Sequence, residues 1–357
     1  MFDAALILLF CGLVAGTFAT ELTTGLAVAL ALLVGDRARM KAPAAALCVL
    51  GAALLLAAPQ NVAAGGELAA LREVPGRLWP LAPLLVVPAL AAAPAARVER
   101  IGLSAAALVG LVAVGQRVIT GADTVAGPFS HHLTLGYALV VPLVVALSRR
   151  RWALAIGCGA GVVAAGGAGP VLAAAVGALG ALLVAPSWAL VAGVGATLGG
   201  IAALAGDAEL HQRVVLWDSG AWLALDRPAG AGLASFRPSL ALAQDALEPG
   251  FHFPLHAHDS SLQLAVLAGL GSWIALAWLW LWLWRRSGRA GRAALAALAV
   301  GSLTQDVLGD LEVARSLSAW LAWSALVSEA SALPGPAEPD ADRRVPLPVA
   351  PAAVESS

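Results

Sequence analysis

Of the 357 residues 60% are hydrophobic and only 12% charged, whereas soluble domains carry about a quarter charged residues; the composition excludes an ordinary soluble domain and predicts an integral membrane protein. The apolar stretches are too long for a closed barrel, whose strands alternate in short segments, so the expected fold class is all-α and polytopic. Twenty-one basic and 22 acidic side chains leave a net charge of −1, and in a membrane chain the placement of Lys and Arg carries more information than their sum.

The opening stretch, MFDAALILLFCGLVAGTFATE, begins with Asp3 and no basic residue, and bulky Phe10 precedes Cys11 where a lipoprotein signal has a small residue. It is expected to stay as the first span, over residues 4–20. Further apolar segments follow near 22–35, 42–59, 79–95, 101–115, 132–148, 152–166, 170–185, 188–205, 260–284, 293–308 and 315–331, about twelve spans in all. Several approach or exceed the roughly 18 residues that cross a bilayer as helix. Cys11, Cys48 and Cys158 fall inside these segments, which points to thiols packed in lipid or between helices rather than disulfides or metal ligands.

Basic clusters occupy alternate turns: DRARMK at 36–41, RVER at 97–100, RRR at 149–151 and RRSGRAGR at 285–292. The positive-inside rule makes that side cytoplasmic, and both termini with it. The opposite side receives the 60–78 and 116–131 loops, a turn at 166–170, a long loop at 206–259 and DVLGDLE at 306–312. All six histidines (His131, His132, His211, His252, His256 and His258) fall on that outer side. Gly177 with Ala181 and Gly195 with Gly199 have the small-residue spacing that permits close helix packing in lipid. Trp278, Trp280, Trp282 and Trp284 beside Arg285 and Arg286 read as an interfacial aromatic belt. Residues 332–357 are Pro-rich, polar and aperiodic, the composition of a disordered cytoplasmic tail.

The outer loop carries the candidate chemistry. Leu216, Trp217, Ala221, Trp222 and Leu225 recur at helical spacing, so residues 212–226 are expected to form an amphipathic helix along the membrane face, ended by Pro228, Gly230 and Gly232. Arg213 stands in its first turn, where the helix dipole disfavours a cation. It is there either to snorkel to lipid headgroups or to meet an anionic substrate. At the far end, Ser260-Ser261-Leu262-Gln263 fits a capping box that starts the next span. His258 then stands just outside a helix N-terminus, whose positive end opposes imidazolium formation and keeps the ring neutral, as a general base must be. His256, His258 and Asp259 also make a conceivable metal site, but H-x-H on irregular backbone without a second cluster is a weak ligand pattern.

RVVLWDSGAWLALDRPAGAGLASF at 213–236, a variable stretch, then HAHDSSLQLAVLAGLGSWIAL at 256–276 resembles the O-antigen ligase and polymerase family of bacterial envelope glycosyltransferases. RVITGADTVAGPFSHHLTLGYALVVPL at 117–143 is similar to that family's second motif, and the resemblance spans roughly residues 100–331. It implies a C-type, metal-independent, inverting transferase without cofactor. The donor would be a saccharide on undecaprenyl pyrophosphate, and the acceptor another saccharide or lipid A core. By position His258 matches the base that deprotonates the acceptor hydroxyl and Arg213 a pyrophosphate-binding arginine, with His256 and Asp259 at the substrate. Many relatives carry a Ser-Arg pair where this chain has Gly166-Gly167-Ala168-Gly169-Pro170. Arg117 is expected to supply the missing cation, with Arg237 as the second choice. The implied partners are the lipid-linked donor, the acceptor and the bilayer, with no nucleic acid. Two alternatives stay open: a transporter or flippase of a lipid-linked or anionic solute, and an inactive scaffold of the same fold.

Overall fold

The computed structural model describes residues 2–13, 15, 17–57, 73–91, 96–203, 208–232, 235–251, 257, 259–308 and 310–332. Among them every regular element is helical. The α-helices in chain order are α1 (Phe2–Gly12), α2 (Thr17–Val34), α3 (Arg37–Leu56), α4 (Glu73–Leu78), α5 (Pro83–Leu90), α6 (Ala96–Thr120), α7 (His132–Ser148) and α8 (Trp152–Ala165). They continue as α9 (Ala168–Leu182), α10 (Pro186–Ala203), α11 (Ala208–Asp226), α12 (Phe236–Leu247), α13 (Ser260–Ala268), α14 (Gly271–Arg286), α15 (Arg289–Thr304) and α16 (Leu311–Ala332). Trp79–Leu81 makes one 3₁₀ turn between α4 and α5. The expected disordered tail lies outside the described residues beyond Ala332.

The all-α expectation holds; the count of about twelve full spans does not. Among the described residues two helices are both long and apolar enough to cross a bilayer alone, Arg37–Leu55 and Ala96–Thr120, with shorter apolar helices such as His132–Ser148, Trp152–Ala165 and Ala168–Leu182 beside them. Two expected spans are shortened by breaks that hydrophobicity hides. The 4–20 segment is helical only to Gly12 before α2 begins at Thr17. At 1.5 Å per residue α1 covers only about half of a hydrocarbon core roughly 30 Å thick. The 260–284 segment breaks at Gly269, whose φ of +75° a side chain rarely adopts.

The basic clusters gather at helix ends. Asp36 caps α3 and its backbone N–H donates to Ala89 O, while Arg39 donates to Ala91 O. Glu99 on α6 accepts ion pairs from Arg149 at 3.6 Å and Arg151 at 3.3 Å and a hydrogen bond from Trp323 Nε1 at 3.2 Å. One hollow is walled by Glu99, Arg149, Ala181, Arg289 and Ser324, so three of the four clusters meet at one end of the bundle. We call this the basic end. The opposite, loop end holds the 304–310 turn and the start of α13. Ala246 on α12 and Arg285 on α14, both exposed, report on this partition. In a chain whose exposed Cys48 is replaced by serine, a cysteine at position 246 should react with an impermeant thiol reagent added to spheroplasts. A cysteine at position 285 should react only after permeabilisation. The reverse pattern would invert the orientation.

Helix α7 is the centre of the core, buried from Thr134 through Ala146 and packed on α8, α9, α15 and α16. The tightest crossing joins α6 to α8, where a Cβ on Gly110 would stand 2.1 Å from the Gly157 carbonyl oxygen. Gly177 likewise packs on α7, 2.3 Å from Val144 Cγ2 for a built Cβ, but Gly195 and Gly199 have nothing within 4 Å. Small-residue spacing therefore marked a real crossing on α9 and an open face on α10.

Candidate functional site

The amphipathic helix of the outer loop is α11, which starts at Ala208, several residues before the expected 212. Arg213 consequently stands in the second turn, clear of the strongest part of the dipole. The stripe expected to lie on the membrane is divided. Leu216 is buried and Trp222 and Leu225 are exposed, while Leu223 and Ala224 join Phe236, Leu240, Ala265 and Val266 in a small core shared with α12 and α13. Arg227 Nη1 donates to Ser239 Oγ at 2.9 Å, fastening α11 to α12.

After α11 the chain turns through Pro228, Gly230 (φ +91°) and Gly232 (φ +80°). The N–H groups of Ala231 and Gly232 donate to Val266 O (2.7 Å) and Leu267 O (3.1 Å), and Leu270 N donates to Pro228 O (2.9 Å). Carbonyls that the break at Gly269 releases from α13 are thus taken up by the loop backbone. The approach leaves no space for side chains: a Cβ on Gly269 would lie 2.4 Å from Pro228 O, and one on Gly230 2.6 Å from Gly269 N.

Both ends of the loop converge on the turn after α15. Arg213 Nη1 donates to Thr304 O at 2.8 Å, a favourable seat for a cation because a helix C-terminus carries partial negative charge. Two residues after His258, Ser260 Oγ donates to Gln305 O at 3.4 Å and accepts from Leu308 N at 3.1 Å. The N-cap of α13 is Asp259, one residue earlier than the capping box implies. Its Oδ1 accepts from Ser261 N (2.8 Å), Leu262 N (2.9 Å) and Ser261 Oγ (2.6 Å), and Gln263 Oε1 accepts from Ala257 N (2.8 Å). Asp259 is therefore committed to starting the helix, with only 5% of its surface exposed. His252, His256 and His258 lie outside the described residues.

Of the other histidines, His131 caps α7 by accepting from Leu133 N at 3.2 Å, with the His132 ring 4.1 Å away. His211 Nε2 meets Glu248 Oε2 at 2.7 Å on the exposed side of α11. These contacts give His131 and His211 structural work. Arg117 donates to Val163 O at 2.9 Å, at the C-terminus of α8. Arg237 is exposed at the start of α12, with no hydrogen bond or ion pair among the described residues. Among the described residues Thr304 accepts from Arg213 and from neither of these two.

Tyr137 and Thr304 belong to the site without having been expected there. The Tyr137 hydroxyl lies 3.0 Å from Oγ1 of Thr304, the residue whose carbonyl accepts from Arg213. The available signal was that this is the chain's one tyrosine, set in an otherwise apolar span. A Cβ on Gly169 would stand 2.3 Å from Tyr137 Oη and 3.0 Å from Thr304 Oγ1. The Gly166–Pro170 stretch thus abuts the very turn that holds Arg213, and packing leaves no room for a side chain at position 169. Next to this turn, Thr134 Oγ1 donates to Asp310 Oδ2 at 2.5 Å. Burial first, then the Asp310 charge, pushes the Glu312 carboxyl above its usual range, against a backbone hydrogen bond from Ser130 and the Arg315 charge.

On the other flank of the turn a cavity of about 270 Å³ opens between α3, α14, α15 and α16, with Arg77, Asp259, Ser260 and Ser261 in its wall. Among the described residues no three His, Cys, Asp or Glu side chains cluster as a metal site, and Asp259 is already engaged by α13. A metal-independent transferase of the kind the motifs resemble is expected to keep its activity after treatment with chelator. Activity regained only on adding a divalent ion would instead assign His256, His258 and Asp259 as ligands. No protein-family model and no curated protein matches the chain.

Proposed function

We propose that the chain is a membrane glycosyltransferase of the O-antigen ligase or polysaccharide polymerase type. It transfers saccharide from undecaprenyl pyrophosphate at the periplasmic face of a bacterial inner membrane. The observation that carries this reading is the convergence of Arg213 and the Asp259–Ser260 helix start on the 304–308 turn. It brings the cation suited to a pyrophosphate into the same neighbourhood as the residue that follows His258 in sequence. In this reaction His258 takes the proton of the acceptor hydroxyl as the oxygen attacks the anomeric carbon. The bond from that carbon to the pyrophosphate oxygen breaks, the configuration inverts, and undecaprenyl pyrophosphate leaves with charge that Arg213 offsets. The bilayer crossing of the shorter apolar helices, the periplasmic side of the loop end and the cytoplasmic termini belong to the same proposal.

One observation favours the transporter alternative, namely the broken helix at Gly269, since broken helices line substrate sites in carriers. Yet the carbonyls of Val266 and Leu267 accept from Ala231 and Gly232, and Gly230 packs directly on Gly269, so the break is filled by the chain's own backbone. The scaffold alternative draws on the cation-free Gly166–Pro170 stretch. Cells lacking this protein distinguish the readings: a lipid-linked saccharide pool that accumulates facing the periplasm, with mature surface polysaccharide lost, is expected. A pool trapped on the cytoplasmic face would indicate a flippase, and an unchanged polysaccharide profile would overturn the transferase.

A further inference from the structure

The hollow at the basic end is a second cavity, of about 400 Å³, between α7, α9, α15 and α16. Glu99 of α6 is the one carboxylate in its wall, and it is already compensated by Arg149, Arg151 and the Trp323 Nε1–H group. Cationic donors are left over. Arg149 offers Glu99 its Nε at 3.6 Å, and its two Nη groups have no partner among the described residues. Arg289 gives Nε to Gly180 O and Nη2 to Val184 O, both at 3.0 Å, and keeps Nη1. Between the two arginines that meet Glu99, Arg150 has φ +55°, a left-handed backbone uncommon for a residue with a side chain. The bend brings Arg149 and Arg151 onto the same carboxylate.

Neutral donors face the same space. Ser148 lines the hollow, and its Oγ is shut off from solvent with no hydrogen-bond partner among the described residues. Such an orphaned hydroxyl is costly unless a ligand bonds it. Gly288, Arg289 and Ala290 bring the N-terminus of α15 into the wall, and no side chain caps it, so its partial positive charge opens on the hollow. Val145, Ala181 and Val327 complete the lining. Leu182 and Leu183, directly after Ala181, are exposed. A site for an anion thus adjoins an apolar outer surface at the end of the bundle.

We propose that this hollow binds the phosphodiester headgroup of an acidic phospholipid, its phosphate on Arg149 and the start of α15 and its acyl chains along Leu182 and Leu183. A guanidinium with both Nη groups free meets a phosphate through bidentate hydrogen bonds. Basic pockets between membrane helices at the cytoplasmic face stand where the anionic lipids of that leaflet are found. The site is separate from the transfer chemistry, at the end of the bundle opposite the 304–310 turn. The lipid as source of the phosphate rests on the bilayer placement of the preceding reading; the anion site rests on the hollow alone.

Native mass spectrometry of the full chain in non-ionic detergent, titrated with dioleoyl phosphatidylglycerol, dioleoyl phosphatidylcholine or inorganic phosphate, tests this without any transfer reaction. Phosphatidylglycerol should bind at least about tenfold more tightly than either of the others. Arg149→Gln should weaken it by about tenfold, the loss expected for a hydrogen-bonded charge, and Arg149→Lys should recover most of the affinity. Ala290→Glu puts a carboxylate in the wall at a helix start that favours one. It should weaken phosphatidylglycerol at least as much without lowering the thermal transition of the lipid-free protein. Arg285→Gln removes an exposed arginine that is not in the wall and should leave binding unchanged. Equal binding of the two lipids, equal losses for Arg149→Gln and Arg285→Gln, or unchanged binding by Ala290→Glu would overturn the site. Inorganic phosphate binding as tightly as phosphatidylglycerol would overturn the lipid as its source. Binding as expected alongside an unaltered polysaccharide profile in cells lacking the protein keeps this site and rejects the transferase. Unselective binding alongside an accumulated lipid-linked pool does the opposite.

Discussion

His258→Ala should abolish detectable saccharide transfer while membrane insertion and detergent-solubilised elution stay normal. A general base contributes roughly 10²- to 10⁴-fold to a proton-transfer step, and nothing else within reach in sequence replaces it. Asp259 is spent on the N-terminus of α13, and His211 is held by Glu248. His252→Ala and His211→Ala are the controls, and each should change transfer little. If His258→Ala transfers at a rate near the parent, the base lies elsewhere and the reading of the loop fails with it.

Arg213→Ala should lower steady-state transfer by about a hundredfold or more, since a bidentate contact to a leaving pyrophosphate involves hydrogen bonds to charge of roughly 1.5–3 kcal/mol each. Arg117→Ala, by contrast, should fall only a few-fold, because Arg117 is placed at the end of α8 on Val163 O and not on the 304–308 turn that holds Arg213. Arg213 also donates to Thr304 O, so Arg213→Lys separates the roles. A lysine can reach one carbonyl but does not reproduce the planar fork, and should leave the thermal transition near its parent value while transfer stays impaired. Equal losses for Arg117→Ala and Arg213→Ala would return the second cation to Arg117.

The legible part of this fold was its periodicity. Apolar runs bounded by basic clusters placed most helices near their observed positions, and the clusters share contacts, as Glu99 with Arg149 and Arg151 shows. What hydrophobicity could not convey was interruption: Gly269 sits among residues as apolar as those of a continuous span, and its left-handed backbone shows only when the loop glycines are seen against it. In the site, Arg213 stood out because a cation on an amphipathic helix needs a reason, whereas Asp259, expected at the substrate, is taken up by the start of α13. Tyr137 and Thr304 were not legible, since each is a single polar residue on a separate apolar helix and only their meeting at 3.0 Å gives them a role.

The interlock of Gly230 with Gly269 has a dynamic consequence. Three backbone hydrogen bonds tie the 228–232 turn to the break in the helix, and neither strand of the contact has a side chain that can yield in its place. The amides of Ala231, Gly232 and Leu270 should therefore exchange with solvent deuterium as one cooperative unit, at a single rate, whenever the loop lifts. A loop fastened in this way is protected as one unit rather than residue by residue.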